Sequence, residues 1–414
     1  MVPGMSAPSA LAHALERPPS LAVTLCVCTA SQVLATSTVL GLATISPVVA
    51  AKLSIHTYWI GYQVSLIYFA GIFASAIAGS LVKRWGAARL NQIALLCAAG
   101  GMLGLATGLL PVMIVGSVLI GIGYAFNNPC SSHMLHRQTP ARLRNIIFSV
   151  KQAGVPAGGV LAALVDPQLT AAFGFRAALA LSAIPCLLLA MLFGVLREWW
   201  DDDRKPETPI GGRAIWAGQA LIWSKPGLLA ISFLGFFYSA IQLCVSAFTI
   251  TMLVTDLGWT AVQAGSVAAI VQVFGAGGRV LWGIVADVLQ AGFLVLCMLG
   301  LVTGLCCILL LWSGMMPIMV EVGVLCALGA CAVGWNGVML AETARLSSLN
   351  AASGSGTMTG DVMVYTFIGV VIGPSVFALI YAHLGSYSET FAWFSIPAAL
   401  GAILAIWAYR RAAT

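Results

Sequence analysis

"LREWWDDDRKPETPIGGRAIWAGQALIWSKPG", residues 196–227, is the longest polar passage in a chain otherwise made of apolar runs. The 414 residues are 60% hydrophobic and 8% charged, against roughly 25% charged in an ordinary soluble domain. The passage therefore separates segments that belong in a bilayer. Crossing hydrocarbon takes about 20 apolar residues as a helix, and backbone hydrogen bonding admits only helices or closed barrels there. The runs are rich in Leu, Ala, Ile and Val and lack period-two alternation, so helices are expected. They fall near 21–45, 58–82, 90–108, 110–134, 145–165 and 176–196 before the passage, and near 227–254, 261–286, 292–312, 315–341, 358–382 and 390–409 after it.

The expected fold class is thus an all-α membrane protein, with twelve transmembrane helices in two pseudo-symmetric six-helix bundles. Its parts are a tail at 1–20, a bundle at 21–196, a linker at 197–226, a second bundle at 227–409 and a tail at 410–414. Lys and Arg accumulate in loops on the cytoplasmic side of membrane proteins. With both termini inside, that side collects Lys83, Arg84, Arg89, Arg137, Arg142, Arg144, Arg197, Arg204, Lys205 and Arg345 among others, and the opposite side keeps Lys52 and Arg176. A multi-pass protein of a bacterial cytoplasmic (inner) membrane with cytoplasmic termini is expected, in contact with membrane lipids.

The net charge of +6 has this orienting role and does not point to nucleic acid, since no groove pattern of interleaved aromatic and basic residues accompanies it. The eleven cysteines lie within apolar runs without metal-like spacing, so they read as buried small hydrophobes; no metal and no cofactor is expected. No Ser/His/Asp arrangement, zinc-ligand spacing or phosphate-binding glycine loop stands out, which argues against an enzyme and against direct ATP-driven transport.

Short echoes link the halves. "LSAIP" at 181–185 faces "WFSIP" at 393–397, and "GSLVKRWG" at 79–86 faces "WGIVADVLQAG" at 282–292. A duplicated six-helix unit would leave such traces, and repeats of this kind flank a midplane site in transporters. Over nearly its whole length the chain resembles a bacterial major facilitator superfamily secondary transporter. The family's signature between helices two and three, Gly-x-Leu-x-Asp-Arg-x-Gly-x-x-Arg, is met by Gly79, Leu81, Arg84, Gly86 and Arg89, with Lys83 at the Asp position. The resemblance implies a conformational latch in that loop. Asp287 retains the acidic position in the second half and Val288 replaces the following Arg.

Charges inside the spans narrow the function. Arg279 precedes Asp287 by eight residues, about 12 Å of helix, and so lies near the middle, where an unpaired cation costs several kcal/mol. Its helical neighbours Gln272, Gly275, Gly283 and Ala286 form a small, slightly polar face. Arg279 either contacts an anion directly or is paired with Asp361 or Glu321. The element Arg279-x-x-x-Gly283 resembles one in monocarboxylate and oxalate carriers of the superfamily, which implies carboxylate contact. Lys151 lies about 9 Å into helix five, next to Gln152, and is a second candidate cation. Tyr238, Gln242, Ser246 and Thr249 share a face of helix seven, while Asn127, Asn128 and Asn336 add amides that either bind ligand or join helices.

The substrate-binding candidates are therefore Arg279, Lys151, Gln242, Tyr238, Gln152, Asn128 and Asn336. Asp361 and Glu321 are candidates for proton coupling or ion pairing, and Gly79, Lys83, Arg84, Gly86, Arg89, Gly283 and Asp287 for gating. The reading is a secondary carrier for a small organic anion, a carboxylate, moving with protons and working as a monomer. Its alternatives are a proton-driven exporter of amphipathic or cationic compounds and a nontransporting membrane receptor with the same fold.

Overall fold

The computed structural model describes residues 19–54, 58–210, 212–259, 261–348 and 355–412. The tail expected at 1–20, except its last two residues, and the last two residues of the tail expected at 410–414 lie outside them. The first half contains α1 (Leu21–Thr44), α2 (Ser46–Leu53), α3 (Tyr58–Trp85), α4 (Ala87–Ala106), α5 (Leu110–Gln138), α6 (Arg144–Gln152) and α7 (Gly154–Trp200). A connecting helix, α8 (Gly212–Ser224), leads to α9 (Pro226–Thr255), α10 (Ala261–Leu289), α11 (Gly292–Leu309), α12 (Ile318–Ala332) and α13 (Asn336–Ser348). The chain closes with α14 (Ser355–Leu384), α15 (Tyr387–Trp393) and α16 (Ser395–Ala412).

Among the described residues, eleven helical segments are long and apolar enough to span a membrane, and one of them, Ala141–Trp200, has 60 residues. At 1.5 Å per residue that segment would run about 90 Å, three times the hydrocarbon thickness, so it makes two crossings. Gly174 turns it. Its φ of 79° is the left-handed conformation that glycine adopts without a Cβ penalty. Counted this way the eleven segments make twelve crossings, and the protein is a multi-pass integral membrane protein.

Several boundaries differ from the sequence expectation. Helix five does not stop at 165: α7 carries Asp166 and Pro167 inside it and continues to Gly174. Asp166 and Pro167 have the look of a helix end, because proline lacks the N–H needed for the ladder. Inside a packed membrane bundle neighbouring helices can re-satisfy the freed groups, and the Ser182 hydroxyl donates to Asp166 Oδ1 at 2.7 Å. The run expected at 315–341 is likewise two helices, α12 and α13, separated by a turn at 333–335.

The polar passage is anchored. Asp201 accepts hydrogen bonds from the Ala88 and Arg89 backbone N–H groups at 2.7 and 3.0 Å, which satisfies free donors in the first turn of α4. Arg137 pairs with Asp202 at 2.7 Å, and His133 with Asp203 at 2.8 Å.

The two halves meet where α3 packs on α14 and where α6 inserts between α10 and α13. Lipid tails are as apolar as leucine, so such contacts depend on close approach of small residues. A Cβ at Gly283 of α10 would come within 2.5 Å of Ser149 Oγ on α6, and one at Gly337 of α13 within 2.3 Å. Both contacts lie toward the end of the molecule rich in Lys and Arg, the basic face.

Candidate functional site

Helix breaks build the site. At Ala153 the chain passes from α6 to α7, and at 333–335 from α12 to α13. The flanking residues Gln152 and Asn336 face each other there, with Gln152 Nε2 donating to Asn336 Oδ1 across the two halves. Around them lies a cavity of about 80 Å³. Asn128, Gln152, Gln242, Arg279 and Asn336 line it with Tyr68, Tyr124 and Phe367, and none of its lining residues is acidic.

Arg279 is 1% exposed. Its Nη1 donates to the Gln152 carbonyl at 2.7 Å, while its Nε has no hydrogen-bond partner among the described residues. The structure brings neither Asp361 nor Glu321 to it, and among the described residues it forms no ion pair.

Lys151, 2% exposed, stands behind the wall. Its Nζ donates to Gln32 Oε1 at 2.6 Å, Asn128 Oδ1 at 2.5 Å and Gln152 Oε1 at 3.1 Å. An ammonium has three donors, so all of them are engaged. Expected from sequence as a ligand clamp, Lys151 here fixes the amides that line the cavity.

That arrangement has a chemical direction. The Asn128 and Gln152 side-chain oxygens face the lysine, the Trp335 indole donates to Gln242 Oε1 at 3.0 Å, and Asn336 Oδ1 accepts from Gln152. Four amides thus turn their side-chain oxygens toward protein donors, so that they offer N–H groups to a guest beside the guanidinium and the lining hydroxyls of Tyr68, Tyr124, Ser239, Ser246 and Thr366. Such a wall favours an acceptor-rich, negatively charged guest.

Tyr238 is not part of this wall. Its hydroxyl donates to the Leu296 carbonyl at 2.8 Å, and its ring packs between α11 and α16 against Gly300 and Gly401. Helical spacing put it on the Gln242 face, but small residues on neighbouring helices open a slot on the other side. Glu321 lies in the first turn of α12, accepting from Ser313 Oγ, away from the cavity. Asn127 donates to Ser31 Oγ at 2.6 Å and joins helices.

The gating candidates gather at the basic face. Asp287 accepts from the Asn145 backbone N–H at 3.0 Å, Asn145 Nδ2 at 2.8 Å and the Ile146 N–H at 2.7 Å, so it caps the start of α6 from the other half. A Cβ at Gly360 would lie 3.1 Å from the Gly79 nitrogen, and Ser75 Oγ donates to the Gly360 carbonyl at 3.1 Å. Lys83 and Asp361 lie within electrostatic reach of each other across this second contact. The connecting helix α8 covers Asp361, with Gly218 against its carboxylate and Gln219 Nε2 at 3.5 Å from its carbonyl. Arg84 donates to the Thr208 carbonyl at 3.3 Å and Arg89 to Gln92 at 2.9 Å, so both arginines brace the passage and α4.

Sequence reasoning did not single out Tyr68, Tyr124 and Phe367. Tyr68 and Tyr124 meet edge to face at 5.8 Å, and Phe367 of the other half lies 6.1 and 6.0 Å from them. Aromatics are too common in membrane spans for their spacing to signal a site. Trp335 and Gln32 were likewise invisible, because their parts depend on partners 93 and 119 residues away.

The sequence profile of the Major Facilitator Superfamily matches residues 24–364. The chain is 33% identical over 147 residues to H(+)/hexose cotransporter 2 of Parachlorella kessleri, covering 35% of this chain and 26% of that protein. It spans about a quarter of the length of the first curated relatives it matches. Among solved structures, the human organic anion transporter MFSD10 superposes with a TM-score of 0.74 at 16% identity, covering 94% of this chain and 100% of the other. The E. coli fucose:proton symporter FucP gives 0.71 at 14% identity, covering 94% and 99%.

Proposed function

We propose, on the premise that the chain belongs to the Major Facilitator Superfamily, that it is a secondary transporter of a small organic anion, a carboxylate, moved by alternating access of the two halves. The observation that carries this reading is the donor-rich wall: Arg279 and four amides whose oxygens are turned to protein donors face one cavity lined by no acid. A buried guanidinium without a counter-charge costs several kcal/mol in a membrane, and an anionic guest offsets that cost. The guanidinium fork suits a carboxylate.

Coupling to protons belongs to the reading, since two of the compared proteins are named proton cotransporters. Of the two acids expected from sequence, Asp361 lies at the contact between the halves and Glu321 does not. The basic face is cytoplasmic in this reading, both termini lie inside, the membrane is a bacterial inner membrane, and the monomer is the working unit.

The test is saturable uptake in proteoliposomes, screening labelled monocarboxylates with hexoses as competitors. Arg279→Gln is expected to lower anion uptake at least tenfold with folded protein retained, and Arg279→Lys to restore part of it, because it keeps the charge and loses the fork. Lys151→Met is expected to weaken binding by loosening Asn128 and Gln152. Asp361→Asn is expected to suppress substrate-dependent proton flux while sparing downhill exchange.

A second reading, a sugar carrier, is favoured by the names of the curated relatives and by the aromatic set Tyr68, Tyr124 and Phe367 beside the amides. Saturable hexose uptake that anions fail to inhibit would establish it over the anion reading.

A further inference from the structure

Asp166 sits in α7, eight residues short of the turn at Gly174, in the interior of the first half. It is 2% exposed. One carboxylate oxygen accepts from Ser182 Oγ at 2.7 Å, and the other, Oδ2, is buried with no hydrogen-bond partner among the described residues. Thr170 Oγ1, one helical turn on, is also buried and unpartnered among them, and residues four apart share a helix face. Pro167 has no N–H to give the carbonyl of Ala163, which leaves a backbone acceptor one turn before the carboxyl.

Among the described residues, no cation pairs with this acid. The elements packed on it bring Gly41 of α1, Met102 of α4 and Ser182 of the second limb of α7. The titratable or charged side chains of those elements are Cys26 and Cys28 on α1, Arg89 and Cys97 on α4, and Arg176, Cys186, Arg197 and Glu198 on α7. None of them pairs with Asp166. An ionised carboxylate held this way in a membrane bundle would lack both counter-charge and full solvation, and such a group takes up a proton rather than stay charged.

We propose that Asp166 is a proton-binding site of the first half, loaded in the conformation closed at the basic face. Loading makes Oδ2 a donor beside the Thr170 hydroxyl and the Ala163 carbonyl, the acceptors its face provides. Asp166 is roughly 20 Å of helix beyond Gln152, on the same broken helix that carries Lys151 and the cavity wall. A shift of that helix between facing states therefore moves the carboxyl and the cavity wall together. This link to transport rests on the proposed function; proton binding itself does not.

Infrared spectroscopy of the full chain in lipid nanodiscs, titrated with pH and without any substrate, tests the site. The difference spectrum of wild type minus Asp166→Asn, which cancels the bands of the other buried acids, is expected to show a carboxylic-acid carbonyl band at neutral pH that moves in Asp166→Glu. Ser182→Ala removes a donor that favours the charged form, so the midpoint of the band's titration should rise by about one pH unit. Hydrogen exchange of peptides within 153–174, corrected for intrinsic rates, should depend on pH in the wild type and lose that dependence in Asp166→Asn. A difference spectrum without that band at neutral pH, or with a band that stays in place in Asp166→Glu, overturns the assignment. So does a band lost when choline is exchanged for sodium at constant pH, which would make Asp166 a sodium ligand instead. A failed anion screen with the band present would sink the transport reading and leave this one standing.

Discussion

At the basic face, Gly283 and Asp287 stand four residues apart near the end of α10, and Gly79 and Lys83 stand four apart near the end of α3. In each case the small residue lets a helix of the opposite half approach, Ser149 of α6 in one and Gly360 of α14 in the other. The charged residue one turn later has opposite sign. Asp287 meets the first turn of a helix, where backbone N–H groups are free to be accepted. Lys83 faces a helix that began six residues before Asp361, at Ser355, so no free N–H groups remain at that level and a carboxylate side chain is presented instead. Duplicated geometry thus fixes the spacing, and the partner helix's starting point fixes the charge.

Substitutions at these joints break that pairing most directly. Asp287→Ala strips three donors of their acceptor and should cost about 2–3 kcal/mol of the closed arrangement. Faster hydrogen exchange over 144–152 would report it, and unchanged exchange there would mean that the cap does not hold the halves. Gly283→Ala places a Cβ within 2.5 Å of Ser149 Oγ and should cost about 1–3 kcal/mol as overpacking; Ser149→Gly in the same chain should recover much of it.

Charge exchange sharpens the other joint. Lys83→Asp restores the family residue yet sets it against Asp361, and should destabilise the joint by about 1 kcal/mol, since Lys83 is only partly buried. The double variant Lys83→Asp with Asp361→Lys should regain stability, read as recovery of the thermal midpoint. No recovery would mean that the two charges are not energetically coupled.

The smallest effect is expected in the passage between the halves. Arg137 holds the Asp202 carboxyl below the usual carboxylate range through a hydrogen bond. A depressed folded value means that this stabilisation is complete above the unfolded value and is lost as pH falls through the folded one. Acidification below the usual carboxylate range should therefore loosen 197–206, by less than about 1 kcal/mol because both partners are partly exposed. Asp202→Asn should remove that pH dependence from its hydrogen exchange.

Much of the architecture was legible because hydrocarbon imposes length and composition on every crossing. The 6 + 6 division around 196–227 needed only residue counting. Asp166 was not legible as a membrane residue, because Asp–Pro reads as a helix end; in the fold α7 runs through it to Gly174 and the Ser182 hydroxyl, sixteen residues on, donates to its carboxylate. Tyr238 was misplaced because helical spacing tells which residues share a face without telling which of two neighbours that face meets. Lys151 was visible in the sequence as a cation within a span, but the direction of its ammonium depended on Gln32 and Asn128, on other helices.

By itself the sequence determined the solvent of this protein, the number of crossings and the cost of placing Arg279 and Lys151 among them, since these follow from each segment's own polarity and length. Tertiary structure alone decided which ends of Asn128, Gln152, Gln242 and Asn336 face the cavity, that Asp287 caps a helix of the other half, and that Asp166 forms no ion pair among the described residues. An amide has a donor end and an acceptor end, and a carboxylate takes whatever donor or charge is nearest. Their chemistry is therefore set by groups far along the chain that only packing brings within hydrogen-bond reach.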